Sequence, residues 1–193
     1  LEGYSTLMDY NDMDLNRTIP FDRFNKETIF YAYSYGAALL NPSRANVSKE
    51  LYSLYDENDL RKTAYFIDKG NGHIGFKGAY HGLIGNSFFN GIATDELFLI
   101  RAESSIRLGD VDKGISDLNF LLKNRINKGK FIQVGNLSQN EALELVLKER
   151  RKELLYRGLR WLDIKRFNKE LRNEMIIESS NVIDSVYYEE VIC

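Results

Sequence analysis

The chain has 193 residues, 44% of them hydrophobic, with 26 Lys and Arg against 28 Asp and Glu and a formal net charge of -2. Near-neutrality excludes the broad attraction to phosphate backbones on which dedicated nucleic-acid binding depends, and 12% aromatic residues exclude intrinsic disorder. The lone cysteine, Cys193, excludes an internal disulfide, and no run of about 18 apolar residues is present to cross a bilayer as a helix. On a prior of about 150 residues per domain, the length suits one domain with its own core. The chain does not start with Met and its opening ten residues have no basic n-region, so the expectation is a segment of a longer protein.

In chain order, Asp12-Met13-Asp14-Leu15-Asn16 starts like a calcium loop, but Arg17 and Arg23 stand where such a loop needs Gly and Glu. An EF-hand is excluded, and an irregular calcium site on Asp12 or Asp14 stays open. Tyr31, Tyr33 and Tyr35 alternate, which suits either one face of a buried strand or a strip facing a ligand. Residues 49–55 read as a short helix with Leu51, Leu54 and Tyr55 on one face, ended by the polar run 56–59. Residues 63–67, rich in aromatic and β-branched side chains, read as a strand. Residues 68–91 hold seven Gly and read as a long glycine-rich loop or loose hairpin. Within it Gly70-Asn71-Gly72-His73-Ile74-Gly75 spells GxGxxG, but no helix follows to receive a pyrophosphate. His73 and His81 share this loop without Cys or carboxylate at ligand spacing, so ordinary loop histidines are expected in place of a zinc site.

Two long helical segments follow. Residues 94–126 form a predicted helical hairpin: Thr94 is the expected N-cap, Asp95 and Glu96 suit the first turn, and Leu108-Gly109 stops the helix before Asp110 starts the next. The pair is similar to one tetratricopeptide-type repeat of about 34 residues, and no second copy is present, so its apolar face must pack on neighbouring segments. Residues 138–169 open with a capping box, Ser138 and Glu141, and are interrupted at Gly158.

The densest charged run is 148–153, followed by Arg157, Arg160 and Asp163. Helical spacing lets Glu149 and Glu153 share a face, as do Arg150, Glu153 and Arg157. Paired carboxylates are compatible with acid–base chemistry. Interleaving with arginines favours instead an ion-pair lattice that fixes helix packing, with Arg101 and Glu103 of the preceding hairpin as partners. The expected lattice is Arg101, Glu103, Glu149, Arg150, Glu153, Arg160 and Asp163. There is no GxSxG elbow and the one Cys is terminal, so no nucleophile stands out.

Three blocks carry a further signal: VSKELYSLYDENDLRKTAYF at 47–66, ATDELFLIRAESSIRLGDVDKGISDLN at 93–119, and ERRKELLYRGLRWLDIKRF at 149–167. In this order and spacing they resemble the SusD/RagB family of outer-membrane nutrient-binding lipoproteins, and Glu27-Thr28-Ile29-Phe30 is similar to that family's E-x-I-F stretch. Arg157 departs from the family pattern, which usually has an acid before the Gly, and the usual Leu-Pro-Ile-Pro segment is not visible after Phe167.

The resemblance implies a mainly α, SusD-like fold with long irregular loops, here its C-terminal portion: residues 1–91 loop-rich and ligand-binding, 92–169 a helical core, and 170–193 a divergent tail. It implies a non-catalytic protein, held at the bacterial cell surface by a lipid on its longer parent; no cofactor and no metal-ligating residue is assigned. Such a protein captures oligosaccharide or polysaccharide and passes it to a SusC-like TonB-dependent transporter. Sugar capture needs aromatic faces and planar polar groups, for which Tyr65, Phe76, Tyr80, His81, Phe88 and Asn90 are the candidates, with Tyr80, His81 and Phe88 expected to be exposed. Trp161 is expected in the core. The alternative is a helical-repeat scaffold that binds a protein and no sugar.

Overall fold

The computed structural model describes residues 3–36, 41, 44–83 and 87–170; the tail from 171, with Ile176, Ile177 and Cys193, lies outside them. A 3-10 turn, Tyr10–Asp12, is followed by strands β1 (Thr28–Phe30) and β2 (Tyr33–Tyr35), then helices α1 (Lys49–Ser53) and α2 (Leu60–Tyr65). Strands β3 (Phe66–Gly70), β4 (His73–Phe76), β5 (Ser87–Phe89) and β6 (Ile92–Ala93) come next. The helical part is α3 (Thr94–Arg107), α4 (Val111–Lys123), α5 (Gln139–Glu153) and α6 (Arg160–Lys169). The architecture is mainly helical, as expected, and the strands form three separate antiparallel pairs, β1 with β6, β2 with β5, and β3 with β4.

Local chemistry accounts for most helix ends. The Ser138 hydroxyl accepts from the Glu141 amide while the Glu141 carboxylate takes the Ser138 N–H, a complete capping box for α5. Asp110 caps α4, and Gly109, at φ +90°, makes the left-handed turn between α3 and α4. Thr94 is a correction: Ala93 is the N-cap of α3, and the Thr94 hydroxyl instead donates to the Glu27 carbonyl at 3.2 Å. Residues 63–67 are a second correction. Asp59 caps a helix through its carboxylate, so Thr63, Ala64 and Tyr65 are helical and the chain turns extended only at Phe66. The GxGxxG segment is the β3–β4 hairpin turn, with Gly70, Asn71 and Gly72 all at positive φ.

Two apolar clusters divide the molecule. Phe98, Leu99, Ala102, Ile106, Leu118 and Leu121 of α3 and α4 pack with Ala142, Val146, Leu147 and Phe167 of α5 and α6. Tyr10, Phe21, Leu51, Tyr55, Tyr65, Phe76, Tyr80 and Phe89 form the other cluster from the first half of the chain. The turn after α5 joins them, because Leu154 enters the helical cluster while Leu155 and Tyr156 enter the aromatic one. Tyr156 at φ +59° and Gly158 at φ +72° reverse the chain there. Trp161 is 36% exposed on α6 rather than in the core, since Ile164 and Phe167 turn the buried stripe of that helix away from it.

Candidate functional site

Two of the sequence blocks, 47–66 and 149–167, meet in one buried charge network, together with Glu27 and Arg125. The Arg61 guanidinium, wholly buried, donates to Asp59 at 2.7 and 2.8 Å, to Glu149 at 2.6 Å and to Glu153 at 3.1 Å. The other Glu153 oxygen accepts from Arg125 Nε at 2.7 Å, and Arg125 also donates to Glu27 Oε1 at 2.8 Å and to the Met8 carbonyl at 2.6 Å. Lys152 Nζ closes the far end on Asp59 at 2.8 Å and Glu149 at 2.9 Å. Charge signs alternate along this chain of contacts, which is how buried ions offset their desolvation. Guanidinium and ammonium neighbours hold Asp59 down at about 2, against an ordinary 3.8, and Glu149 also below its usual range, although burial alone would raise both. Burial pushes the Glu27 carboxyl up, against the pull of Arg125 and aided by the Asp95 and Glu153 charges.

Smaller pairs surround the network. Arg157 grips Asp95 at 2.9 and 2.5 Å and lies 3.7 Å from the Tyr80 ring centroid. Arg150 donates to Asp163 at 2.9 Å, Glu103 accepts from Arg166 and Arg107, and Arg160 is buried beside them. Ion pairs therefore involve Arg101, Glu103, Glu149, Arg150, Glu153 and Asp163, but in separate groups and with two corrections. Arg101 pairs with Asp117 of α4 at 2.5 Å, because it faces α4 and not α5 or α6. Arg150, Glu153 and Arg157 do not share a face: α5 ends at Glu153, and each takes a different partner. The hubs, Arg61 and Arg125, were missed, since neither lies in the charged run and their acids are up to 98 residues distant.

The predicted ligand residues are distributed otherwise than expected. Tyr80, His81 and Phe88 are buried, not exposed, and Tyr65 and Phe76 are core residues too. The Tyr80 hydroxyl donates to Glu27 Oε2 at 2.6 Å, so a polar partner 53 residues away pulls the ring inward. His81 Nε2 meets Ser87 Oγ at 2.6 Å, and burial lowers its pKa toward the neutral ring. Tyr156 lies between Phe76 and Phe88, with centroids 4.2 and 5.3 Å away. Rings closed in this way present no face to a ligand. Asn90 alone of the set is exposed, accepting from Ser34 Oγ at 2.9 Å.

What the fold displays instead is a strip along β2. The centroids of Phe24, Tyr31, Tyr33 and Tyr35 follow one another at 4.4, 5.9 and 6.0 Å, and exposure along them runs up to 82% at Tyr35. Alternation in β2 keeps the tyrosines on one face, paired with Phe89 and Ser87, while Ser34 and Phe88 take the other. Below the strip, His81 stacks on Tyr33 at 5.9 Å and its carbonyl accepts from the Tyr31 hydroxyl at 2.9 Å. Phe24 is 63% exposed and at φ +57°, a conformation that costs a bulky residue about 1–3 kcal/mol. A strained backbone that turns an aromatic ring to solvent marks a site more readily than a core. The Arg23 guanidinium lies 4.7 Å from the Phe24 centroid and 5.2 Å from that of Tyr31. The Tyr alternation was legible in sequence; nothing there pointed to Arg23 or Phe24, whose placement depends on the loop. Among the described residues no cluster of three or more His, Cys, Asp or Glu could hold a metal.

A mainly helical chain threaded by a buried Arg–carboxylate network and carrying an aromatic strip on irregular strands can be compared with known proteins. The sequence model of the SusD family matches residues 94–189. A SusD-like protein, P38, of Formosa agariphila is 35% identical over 79 residues, 38% of this chain and 16% of that protein. A SusD superfamily protein from Bacteroides thetaiotaomicron superposes with a TM-score of 0.64 at 20% identity, over 88% of this chain and 43% of the other. A SusD-like carbohydrate binding protein from Bacteroides vulgatus gives 0.58 at 20%, over 84% and 38%. These matches support the SusD/RagB family for this chain, the family model covering its helical part from residue 94. It spans less than half the length of each of these relatives.

Proposed function

We propose that the chain is the glycan-binding part of a non-catalytic, cell-surface nutrient-capture protein, and that sugar stacks on the strip formed by Phe24, Tyr31, Tyr33 and Tyr35. The carrying observation is the exposed edge-to-face tyrosine ladder, which ends at Tyr35, 82% exposed. Successive rings lie about 6 Å apart, and their phenolic hydroxyls can meet sugar hydroxyls. Asn90 and Ser34, on the opposite face of β2, offer polar contacts to a ligand that wraps the strand edge. The carbohydrate binding ascribed to the Bacteroides vulgatus relative supports the ligand class. The family match supports the wider role: a lipid anchor on a longer parent, an outer-membrane location and delivery to a SusC-like TonB-dependent transporter.

Two competing readings fare worse. Glu149 and Glu153, the carboxylates that could have served acid–base chemistry, are both held by guanidinium groups in the core. The α3–α4 hairpin, which a scaffold would offer to a protein partner, has its apolar face covered by Ala142, Val146, Leu147 and Phe167.

Affinity electrophoresis against a panel of polysaccharides tests the proposal. Tyr35→Ala and Phe24→Ala are each expected to weaken retardation about tenfold, a loss of ~1.4 kcal/mol, with an unchanged melting temperature. No retardation of the wild-type chain by any glycan, or retention of full affinity in both variants, would overturn it.

A further inference from the structure

We infer that the glycan bound on this strip is acidic, and that Arg23 receives its carboxylate or sulfate group. The inference rests on the glycan-binding reading above and adds the charge of the ligand.

Arg23 is exposed, and among the described residues no carboxylate lies within ion-pair distance of it. The nearest acid in sequence, Asp22, is already taken by Arg17 at 3.0 Å. The guanidinium of this exposed residue lies against Phe24 and Tyr31, 4.7 and 5.2 Å from their ring centroids. With five donors and no acceptor, a guanidinium can donate to a hydroxyl oxygen but cannot take up the hydroxyl's own proton. An acceptor-only anion with two oxygens fits the fork of donors.

The loop that carries Arg23 is fixed in place. Gly82, at φ +73°, lets the backbone of residues 22 and 23 pass so close that an added Cβ would lie 2.3 Å from Arg23 N. Asn25 Nδ2 donates to the Tyr80 carbonyl at 3.2 Å, while Asn25 Oδ1 accepts from the Glu27 amide at 3.1 Å. A cation with no ion-pair partner among the described residues, set at the head of an aromatic strip and held by its backbone, is prearranged for an anionic sugar.

Two acid–neutral pairs test this: polygalacturonate and λ-carrageenan, each against a neutral galactan, in affinity gels with the wild-type chain, Arg23→Gln and Tyr35→Ala. The wild type is expected to bind at least one acidic glycan about tenfold more tightly than the neutral one, Arg23→Gln to lose that preference, and Tyr35→Ala to lose binding to all. Raising salt from about 0.05 to 0.3 M should weaken only the acidic ligand. The carboxylated and sulfated arms identify which anion is read. Arg23→Gln binding like wild type while Tyr35→Ala fails would overturn the inference and leave the glycan reading standing, as would equal wild-type affinity for acidic and neutral glycans. Failure of every glycan would remove both. A melting curve for Arg23→Gln matching the wild type ties any loss to the missing charge.

Discussion

Removing Arg61 would leave Asp59, Glu149 and Glu153 facing one another in the core with only Lys152 and Arg125 to balance them. Breaking a buried pair in this way costs about 3–5 kcal/mol, a large part of the roughly 5–15 kcal/mol by which domains are stable. Urea unfolding of Arg61→Ala is expected to show that loss or no folded state at all. Glu50→Ala is the contrast, since Glu50 is mostly exposed and stands 3.8 Å from Arg151; a change below about 0.5 kcal/mol is expected there. A shift of equal size in the two variants would mean that burial does not set the worth of these pairs. At this scale the sequence is readable where a partner is near in the chain, as for Ser138 and Glu141. It is opaque where the partner is distant, as for Glu27 and Arg125, because nothing local ranks one arginine above another.

Helix pairing depends on a single small residue. Gly114 of α4 faces α3, and a Cβ there would lie 2.4 Å from Ile106 Cγ1 and 2.7 Å from the Ala102 carbonyl. Helix propensity would favour Gly114→Ala by about 1 kcal/mol, but overpacking typically costs about 1–3 kcal/mol. Net destabilisation of up to about 2 kcal/mol is expected from thermal unfolding, and a rise in melting temperature would show that α3 and α4 can move apart freely. The D-L-N stretch of this hairpin is explained residue by residue. Asp117 takes Arg101, Leu118 enters the core, and Asn119 clasps Val134 with two hydrogen bonds of 2.8 and 2.9 Å. The helices α3 to α5 were readable because period and caps are local signals. Residues 63–65 misled because aromatic content outweighed the Asp59 cap that starts α2.

Across the whole molecule, the network predicts how stability responds to acid. Asp59 has a folded pKa of about 2 against an ordinary 3.8. Its contribution, about 2 kcal/mol from that shift, is therefore fully present above about pH 4 and is lost as pH falls through 2. Glu149, Asp95 and Glu103 are lowered as well and act in the same direction. Glu27, raised by burial, works the other way: its contribution is present below its ordinary value of 4.5 and fades as pH rises through the folded one. The melting temperature, followed by circular dichroism, should fall steeply below about pH 4, and a flat profile down to pH 2 would contradict the ion-pair account. Because Glu153 touches both Arg61 and Arg125, and Leu154 and Leu155 enter different clusters, both halves should melt together.

The family resemblance, the helical second half with most of its caps and stops, and the dense pairing of acids with arginines around 148–163 are legible in the sequence. Each is written in residue spacing of a few turns or in short ordered blocks. Which aromatics lie open to solvent and which are core is set by the folded arrangement alone. Tyr80 and Tyr35 are the same side chain in similarly irregular sequence. One is drawn inward by a carboxylate 53 residues away and a guanidinium over its ring, and the other is left 82% exposed at the end of a ladder. Burial depends on partners remote in the chain, so it becomes legible only once the chain has folded.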